Sequence, residues 1–508
     1  MLVRAFVLAA LVASPSLAQA TFTVTTTDNS GDGSLRQAIS DANRSRNAAG
    51  GPDRIAFAIP GTGPFTIAPT FSLPDISEAV VLDGLSQPGA DCSTWPATLM
   101  IVLDGERAGV QIDGLTFISG GGSTVRGLVI NRFDGDGFDV KGSGGNTFGC
   151  NYVGTDVTGT LARPNGDDGV DIESPGNVVG GPTVSARNLI SGNGNDGVDI
   201  DGFGIDASDN VIQGNYIGVA ADGASPMGNG DEGIELQFGA TGTLVGGTEP
   251  GEGKVIAVNV GNGVKVEEST SIRNSFFSNV VFGNDELAID LGDDGRSRND
   301  TDDRDAGANG GQNYPVVTEA VTVANTGTTV VRGTLNSVPS ATYRVEVFAS
   351  QADDSQAERY VGALEVVTDS GGDVAFEVEL AEPVPAGQFM TMTATDASGN
   401  TSELSDELVV AALNNVASED GGDLDLEVVL APNPASRSAT VSFETTEAVP
   451  ATVTVFDVVG RVVQSAPSRA GLGTREVPLD VSVLPPGVYV IRVATARSTR
   501  TAQLTVAR

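Results

Sequence analysis

Histidine is absent from the 508 residues, and three other types are nearly so: three lysines, two cysteines and one tryptophan. Without imidazole there is no Ser-His-Asp or Cys-His nucleophile, no histidine-ligated zinc and no side chain that ordinarily titrates near neutrality. Cys92 and Cys150 are too few for a structural zinc site. An even count permits one disulfide in an exported chain, with two buried thiols as the alternative. Positive charge is scarce as well. The 28 Lys+Arg stand against 66 Asp+Glu, a net of −38 that repels nucleic acid and anionic membranes. Such a surface is either a solvated coat suited to a salty exterior or one that binds cations. Long apolar runs are also missing, except at the start. Residues 1–20, MLVRAFVLAALVASPSLAQA, combine Arg4, the apolar stretch from Ala5 to Ala13 and a closing Ala18-Gln19-Ala20, which predicts a signal peptide. No later stretch reaches the roughly 18 apolar residues of a membrane span. The mature chain is therefore expected to lack a transmembrane segment and to be secreted or held at a cell surface.

Glycine, by contrast, is abundant at 66 residues, and much of it recurs in one pattern. DGFDV (136–140), DGVDI (168–172), DGVDI (196–200), EGIEL (232–236) and NGVKV (262–266) share a polar residue, Gly, apolar, polar, apolar, and LAIDL (287–291) is a looser copy. The glycines are spaced by 32, 28, 36 and 30 residues. Between the copies run short segments such as NTFGCNYVG (146–154), NVVGG (177–181), NVIQGNYIG (210–218) and KVIAVN (254–259). Strands this short cannot bury a face alone, and once-per-turn alternation buries one only if coils stack. The pattern predicts an all-β fold led by a right-handed parallel β-helix over residues 101–312, with coils roughly 4.8 Å apart. Asn151, Asn193, Asn215 and Asn259 follow strands read as equivalent and are expected to stack their amides along the axis. The inserts 155–168 and 219–232 leave the coil at one corner, where a solenoid builds a cleft.

The flanks read differently. Residues 21–100 hold an N-terminal cap and the first coils: in GDGSLRQAISDAN (31–43), Ser34 is placed as N-cap ahead of Leu35, Ala38, Ile39 and Ala42 on one helical face. The stretch 290–315 is dense in Asp, Asn and Gly and reads as an acidic connector; a calcium loop is the alternative, without the ligand spacing of an EF-hand. Longer alternating strands over 313–412 predict an immunoglobulin- or fibronectin-like β-sandwich, and 413–426 a linker. Residues 427–508 carry eight Arg against six Asp+Glu, so the acidic load lies upstream and the last module, a small β-sandwich, stands apart.

In that last module APNPAS (431–436), VFDVVGRVV (455–463), LPPGVYVIRV (484–493) and the terminal LTVAR occur in order over some 80 residues. Together they resemble the type A C-terminal sorting domain of type IX secretion in Bacteroidetes-like bacteria. The resemblance implies the type IX machinery as a partner, passage across the outer membrane of a Gram-negative cell, removal of the domain, and release or attachment at the surface. Residues 21 to about 410 resemble a family of exported bacterial right-handed β-helix repeat proteins through TFTVTTTDNSGDGSLRQAISDAN, LDGLSQPGADCSTWP (82–96), STVRGLVINRF (123–133), GNYIG and QNYPVVTEA. The start is similar to the motif named CSLREA, with Gly33 in place of Cys and Gln37 in place of Glu. This resemblance implies fold and export, and no assigned reaction.

Side chains alternate along a strand, so in Gly-Val-Asp-Ile the Val and Ile face inward and the Asp outward. Stacking then places Asp139, Asp171, Asp199, Glu235, Lys265 and Asp290 in one exterior file. Opposed like charges repel and require salt, bound cations or raised pKa values. Three uses of the file compete, with Asp139, Asp171, Asp199, Glu235 and Lys265 as the ligand-binding candidates. It is solvated, and the protein is a non-catalytic surface, adhesion or polysaccharide-binding protein. Alternatively calcium, the one candidate cofactor, bridges Asp171, Asp199 and Glu235 in a polysaccharide lyase, with Lys265 or Arg187 as the base. The last use is a glycoside hydrolase with paired carboxylates, which lacks the signatures of β-helix polygalacturonases. Trp95 is the only tryptophan available to stack on a sugar, with Tyr152 and Tyr216 sharing one repeat position.

Overall fold

The computed structural model describes residues 19–47, 50–119, 121–323, 328–352, 354–413, 428–457, 461–495 and 499–507. The expected signal peptide lies, but for its last two residues, outside the described residues, as does the expected linker beyond Leu413. Two compact units result, Met1–Leu413 and Asn414–Arg508. Among the described residues no helix is long and apolar enough to cross a membrane.

The first unit is dominated by three parallel sheets of nine, eight and seven strands, each built of segments two to five residues long. Every coil adds one strand to each sheet, which is the parallel β-helix solenoid that the glycine repeat predicts. The repeat spacings are one coil each: Val170 pairs with Phe138 and with Val198, Val198 with Ile234, and Ile234 with Val264. The repeat also starts a coil earlier than its five clear copies, because Leu115 and Thr116 of DGLTF (113–117) pair with Phe138 and Asp139. Inward-facing Val, Ile, Leu and Phe from all three sheets make one continuous core. The helix Leu35–Arg44 closes the first coil, with Ser34 Oγ accepting from the Gln37 N–H and Leu35, Ala38, Ile39 and Ala42 buried in that core.

Glycine in the repeat serves packing rather than a turn. Gly137, Gly169, Gly197 and Gly233 do not adopt positive φ, yet a Cβ on each would lie 2.6 Å from the carbonyl oxygen of the repeat glycine one coil on. The asparagines form three amide ladders, not one. Asn151 and Asn215 belong to a ladder through Asn188, with the N–H of Asn151 donating to Asn188 Oδ1 at 2.9 Å and that of Asn188 to Asn215 Oδ1 at 3.1 Å. Asn193 and Asn259 belong to another, through Asn229. A third runs through Asn146, Asn177 and Asn210. Lys254 takes the place of Asn in the first of these: its buried Nζ donates to the Ile212 carbonyl, as Asn215 Nδ2 does to Val179 O one coil earlier.

The sandwich of residues 316–413 has two four-stranded sheets around Val331, Tyr343, Val345, Met390 and Met392. It covers the last coil. The edge of each helical sheet donates one backbone N–H to it: Phe276 to Thr401 Oγ1 at 3.0 Å, Val281 to Ala357 O at 2.9 Å and Leu291 to Glu403 Oε1 at 3.1 Å. Phe348, Ala357 and Leu404 join the solenoid core. An open β edge invites pairing with another chain, and this one is occupied. The acidic segment before the sandwich is tied down by side chains, with Asn313 donating to Asp300 O and Asn336 O and with Asn309 Oδ1 accepting from the Asn274 N–H at 2.8 Å.

In the second unit, strands Val428–Ala431, Ser438–Phe456, Val462–Asp480, Gly487–Thr495 and Thr499–Val506 form one antiparallel network. Its core holds Val441, Phe443, Val453, Val455, Ile491 and Leu504.

Candidate functional site

Cys92 and Cys150 form a disulfide with their Cα atoms 6.3 Å apart. Around it the corner loops close on one another. The insert hairpins pair Thr155 with Ala162 and Val219 with Pro226, and the Ala221 N–H donates to Gly159 O at 2.9 Å. Trp95 Nε1 donates to Ala221 O at 2.6 Å, and its ring meets Tyr152 and Tyr216 edge-on at 5.5 Å. Tyr152 is fully buried. The expected cleft at this corner is thus filled by a satellite core, and two of the three candidate sugar-stacking rings pack against the third. Arg187 is engaged here too, lying 4.2 Å from the Tyr216 ring centre and donating through Nε to Gly214 O at 2.9 Å.

The predicted file exists in full register: Asp139, Asp171, Asp199, Glu235, Lys265 and Asp290 are successive partners across the third sheet. It is not open to solvent as expected. Asp139, Asp199, Glu235, Lys265 and Asp290 are buried and Asp171 is half-buried. The reason is a second acidic file beside it, made by the first residue of each repeat. The N–H of Asp136 donates to Asp113 Oδ1 at 3.0 Å, Asp168 to Asp136 at 2.9 Å, Asp196 to Asp168 at 2.8 Å and Glu232 to Asp196 at 2.7 Å. The carboxylates of Asp113, Asp136, Asp168 and Asp196 each cap the backbone of the next coil. Asn262 continues the file, its Oδ1 accepting from the Leu287 N–H at 2.9 Å. Composition offered a signal for this second file, since four of the five clear copies begin with an acid, but attention to the alternating strand positions passes over the residue before the glycine.

Two acidic files side by side, partly out of water, hold protons tightly. Burial, then Asp168, push Asp136 up to about 8. Burial and Asp199 push Asp171 up to about 10. Burial first, then neighbouring carboxylates, raise Asp196 and Asp199 far above the usual carboxylate range. The ends of the file are compensated. Lys141 Nζ lies 3.1 Å from Asp139, which burial lifts only to about 6 against that ion pair. Lys265 Nζ lies 2.7 Å from Glu235, 3.1 Å from Glu232 and 3.3 Å from Glu267. Burial disfavours its charge, but Glu235 and Glu232 outweigh it and raise its pKa. In the middle, among the described residues, no Lys or Arg pairs with Asp168, Asp171, Asp196 or Asp199. Elsewhere the chain does pair a stacked acid: Asp83 takes Arg54 and Arg126, the latter at 2.9 Å, and although burial pushes it up, these two arginines hold it below the usual range.

Carboxylates close enough to share an ion are Asp196, Asp199 and Glu235, with one oxygen of each within 4.8 Å of the others. Asp199 and Glu235 are thus brought together with Asp196, a residue the alternation argument did not select. Asp171, in register with Asp199, is not in that group. Further groups are Asp136, Asp167 and Asp168; Asp196, Asp231 and Glu232; and Asp300, Asp303 and Asp305.

No curated protein matches the sequence. Among solved structures the chain is similar to the BSP domain of a biofilm associated protein (18% identity over 38% of this chain and 29% of that one, TM-score 0.16). It is also similar to dimeric latent PorU from Porphyromonas gingivalis (17% identity, 38% and 20%, TM-score 0.15) and to the FN1–FN3 domains of chicken CNTN1 (12% identity, 40% and 70%, TM-score 0.15). The matches span less than a third of the first two chains' length, and likenesses this slight carry no weight for function. Residues 429–507 match the secretion system C-terminal sorting domain family, the part of the chain where the sequence motifs pointed to type IX export. This tail marks a protein handled by the type IX secretion machinery and either secreted or carried on the outer surface.

Proposed function

We propose that the chain is a non-catalytic surface, adhesion or polysaccharide-binding protein of the exported β-helix repeat kind that its N-terminal segment resembles. The supporting observation is the state of Lys265 and Arg187, the two side chains nominated as a lyase base. Lys265 is held between Glu232, Glu235 and Glu267, and Arg187 is stacked on Tyr216. A lyase base must give up its own proton first, and three carboxylates around an ammonium oppose that. A carboxylate pair for glycoside hydrolysis fares no better. Asp171 keeps its proton to about 10, so it supplies no ionised nucleophile near neutrality.

The experiment is a panel of pectin, alginate and glycosaminoglycan presented to the secreted chain. Retention on at least one, without release of reducing ends and without a rise in unsaturated-uronate absorbance, is the expected result. Turnover of any of them overturns the non-catalytic reading, and failure to be retained on all overturns the polysaccharide.

A further inference from the structure

The middle of the acidic ladder carries a charge problem that the chain solves at either end and leaves open between them. Lys141 compensates one end and Lys265 the other, whereas among the described residues Asp168, Asp171, Asp196 and Asp199 stack without a basic partner. Within this stretch Asp199 is only 8% exposed. Its Oδ2 accepts from Gln237 Nε2 at 3.1 Å, and its Oδ1, like that of Asp139, Asp171 and Asp290 in the same file, has no hydrogen-bond partner among the described residues. A buried carboxylate oxygen without a donor is costly, and native structures rarely leave one. Asp196 Oδ1 accepts from the Glu232 N–H, and Glu235 shares Gln237 with Asp199. These contacts fix the three carboxylates on two adjacent coils while leaving the Asp199 oxygen unmatched.

We propose that a divalent cation of calcium's size sits between Asp196, Asp199 and Glu235 and clamps the coils of Val198–Asp201 and Ile234–Gln237 together. The donor set is all oxygen, which selects a hard cation. Three oxygens no more than 4.8 Å apart leave a point within about 2.8 Å of each, which admits the roughly 2.3–2.6 Å of calcium contacts, while magnesium sheds its water reluctantly and is the weaker fit to a site built from side chains. Water completes the shell. The ion does for the central coils what Lys141 and Lys265 do for the outer ones, and it would be supplied by the medium into which the protein is exported. The proposal stands whether or not the chain binds polysaccharide.

The test uses the full secreted chain, stripped with EDTA and then studied by equilibrium dialysis against radioactive calcium and by thermal unfolding with calcium or magnesium added. Wild type should bind calcium and melt higher in millimolar calcium, with magnesium at least tenfold weaker. Asp199→Asn should fold as wild type in EDTA, bind one calcium fewer per chain and lose most of the calcium-dependent rise. Asp196→Asn, which keeps an acceptor for the Glu232 N–H, is a second variant with the same expected loss. Asp300→Asn should change neither reading. Absence of calcium binding at millimolar concentration overturns the proposal. So does unchanged binding in both ladder variants, which would assign the ion elsewhere, for example to Asp300, Asp303 and Asp305. Magnesium binding as tight as calcium overturns the choice of ion.

Discussion

Asp136 offers a direct measure of what the acidic ladder costs the fold. Burial, then the charge of Asp168, raise its pKa to about 8, only partly offset by the hydrogen bond it accepts from the Asp168 N–H. A carboxyl in an unfolded chain titrates near about 3.9. The folded state therefore binds the proton more tightly, so its contribution to stability is fully present below about pH 3.9 and is lost as pH rises through the folded value near 8. Over the roughly three pH units between 3.9 and 7, linkage at about 1.4 kcal/mol per unit sets a ceiling near 4 kcal/mol. Asp136 is only partly shielded from solvent and shares its field with Asp113, Asp167 and Asp168, so about 1–3 kcal/mol is the working figure. Asp136→Asn removes the charge and keeps the acceptor. The chain makes this choice itself at Asn262, whose Oδ1 caps the Leu287 N–H in the same ladder. The variant should melt at the wild-type temperature at pH 4, and above it at pH 6 and further above it at pH 8, by circular dichroism in EDTA. Equal melting at pH 8, or a difference that shrinks as pH rises, would refute the reasoning.

The ion pairs at the end of the ladder should be needed for stability: Lys265→Met leaves Glu232, Glu235 and Glu267 unbalanced and should cost about 2–4 kcal/mol in urea unfolding without metal. Replacing Cys92 and Cys150 by Ser opens a bridge across 58 residues and should cost up to about 4 kcal/mol by the loop-entropy relation, read as a lower urea midpoint. Asn193→Ala removes the Nδ2 donor to Asn229 Oδ1 at 3.0 Å and the acceptor for Asn165 Nδ2 at 3.0 Å, and keeps the backbone donor. With both bonds buried, a loss of about 2–4 kcal/mol with no pH dependence is expected, and a loss below 1 kcal/mol would contradict the ladder's structural role. Gly197→Ala sets a Cβ 2.6 Å from Gly233 O and 2.7 Å from Ile217 Cγ2, and should lower the melting temperature through an overpacking cost of about 2–3 kcal/mol.

The coil repeat was legible because a solenoid writes its geometry as period: alternating Val, Asp and Ile can bury a face only against copies of themselves, and the copies pair in the expected register. The cap helix was legible for a similar local reason, since Ser34 and the spacing of Leu35, Ala38, Ile39 and Ala42 need no distant partner. What stayed hidden depends on lateral neighbours that no period encodes. Alternation says that Asp199 faces away from the core, but not that Asp196 of the adjacent corner stands beside it and shuts out water. It says that Gly197 recurs, but a recurring glycine reads equally as a turn and as a close approach, and only the stacked Gly233 carbonyl decides between them. The charge pattern shows how these two kinds of information combine. Lys141 directly follows DGFDV, and Lys265 replaces an acid in the fifth copy of the repeat, so both compensations are written in the sequence. Their meaning emerges only when register places one at each end of an uncompensated stretch. A cation taken up from the medium would complete the same series between them, making the exterior of the cell the condition under which the central coils reach their full stability.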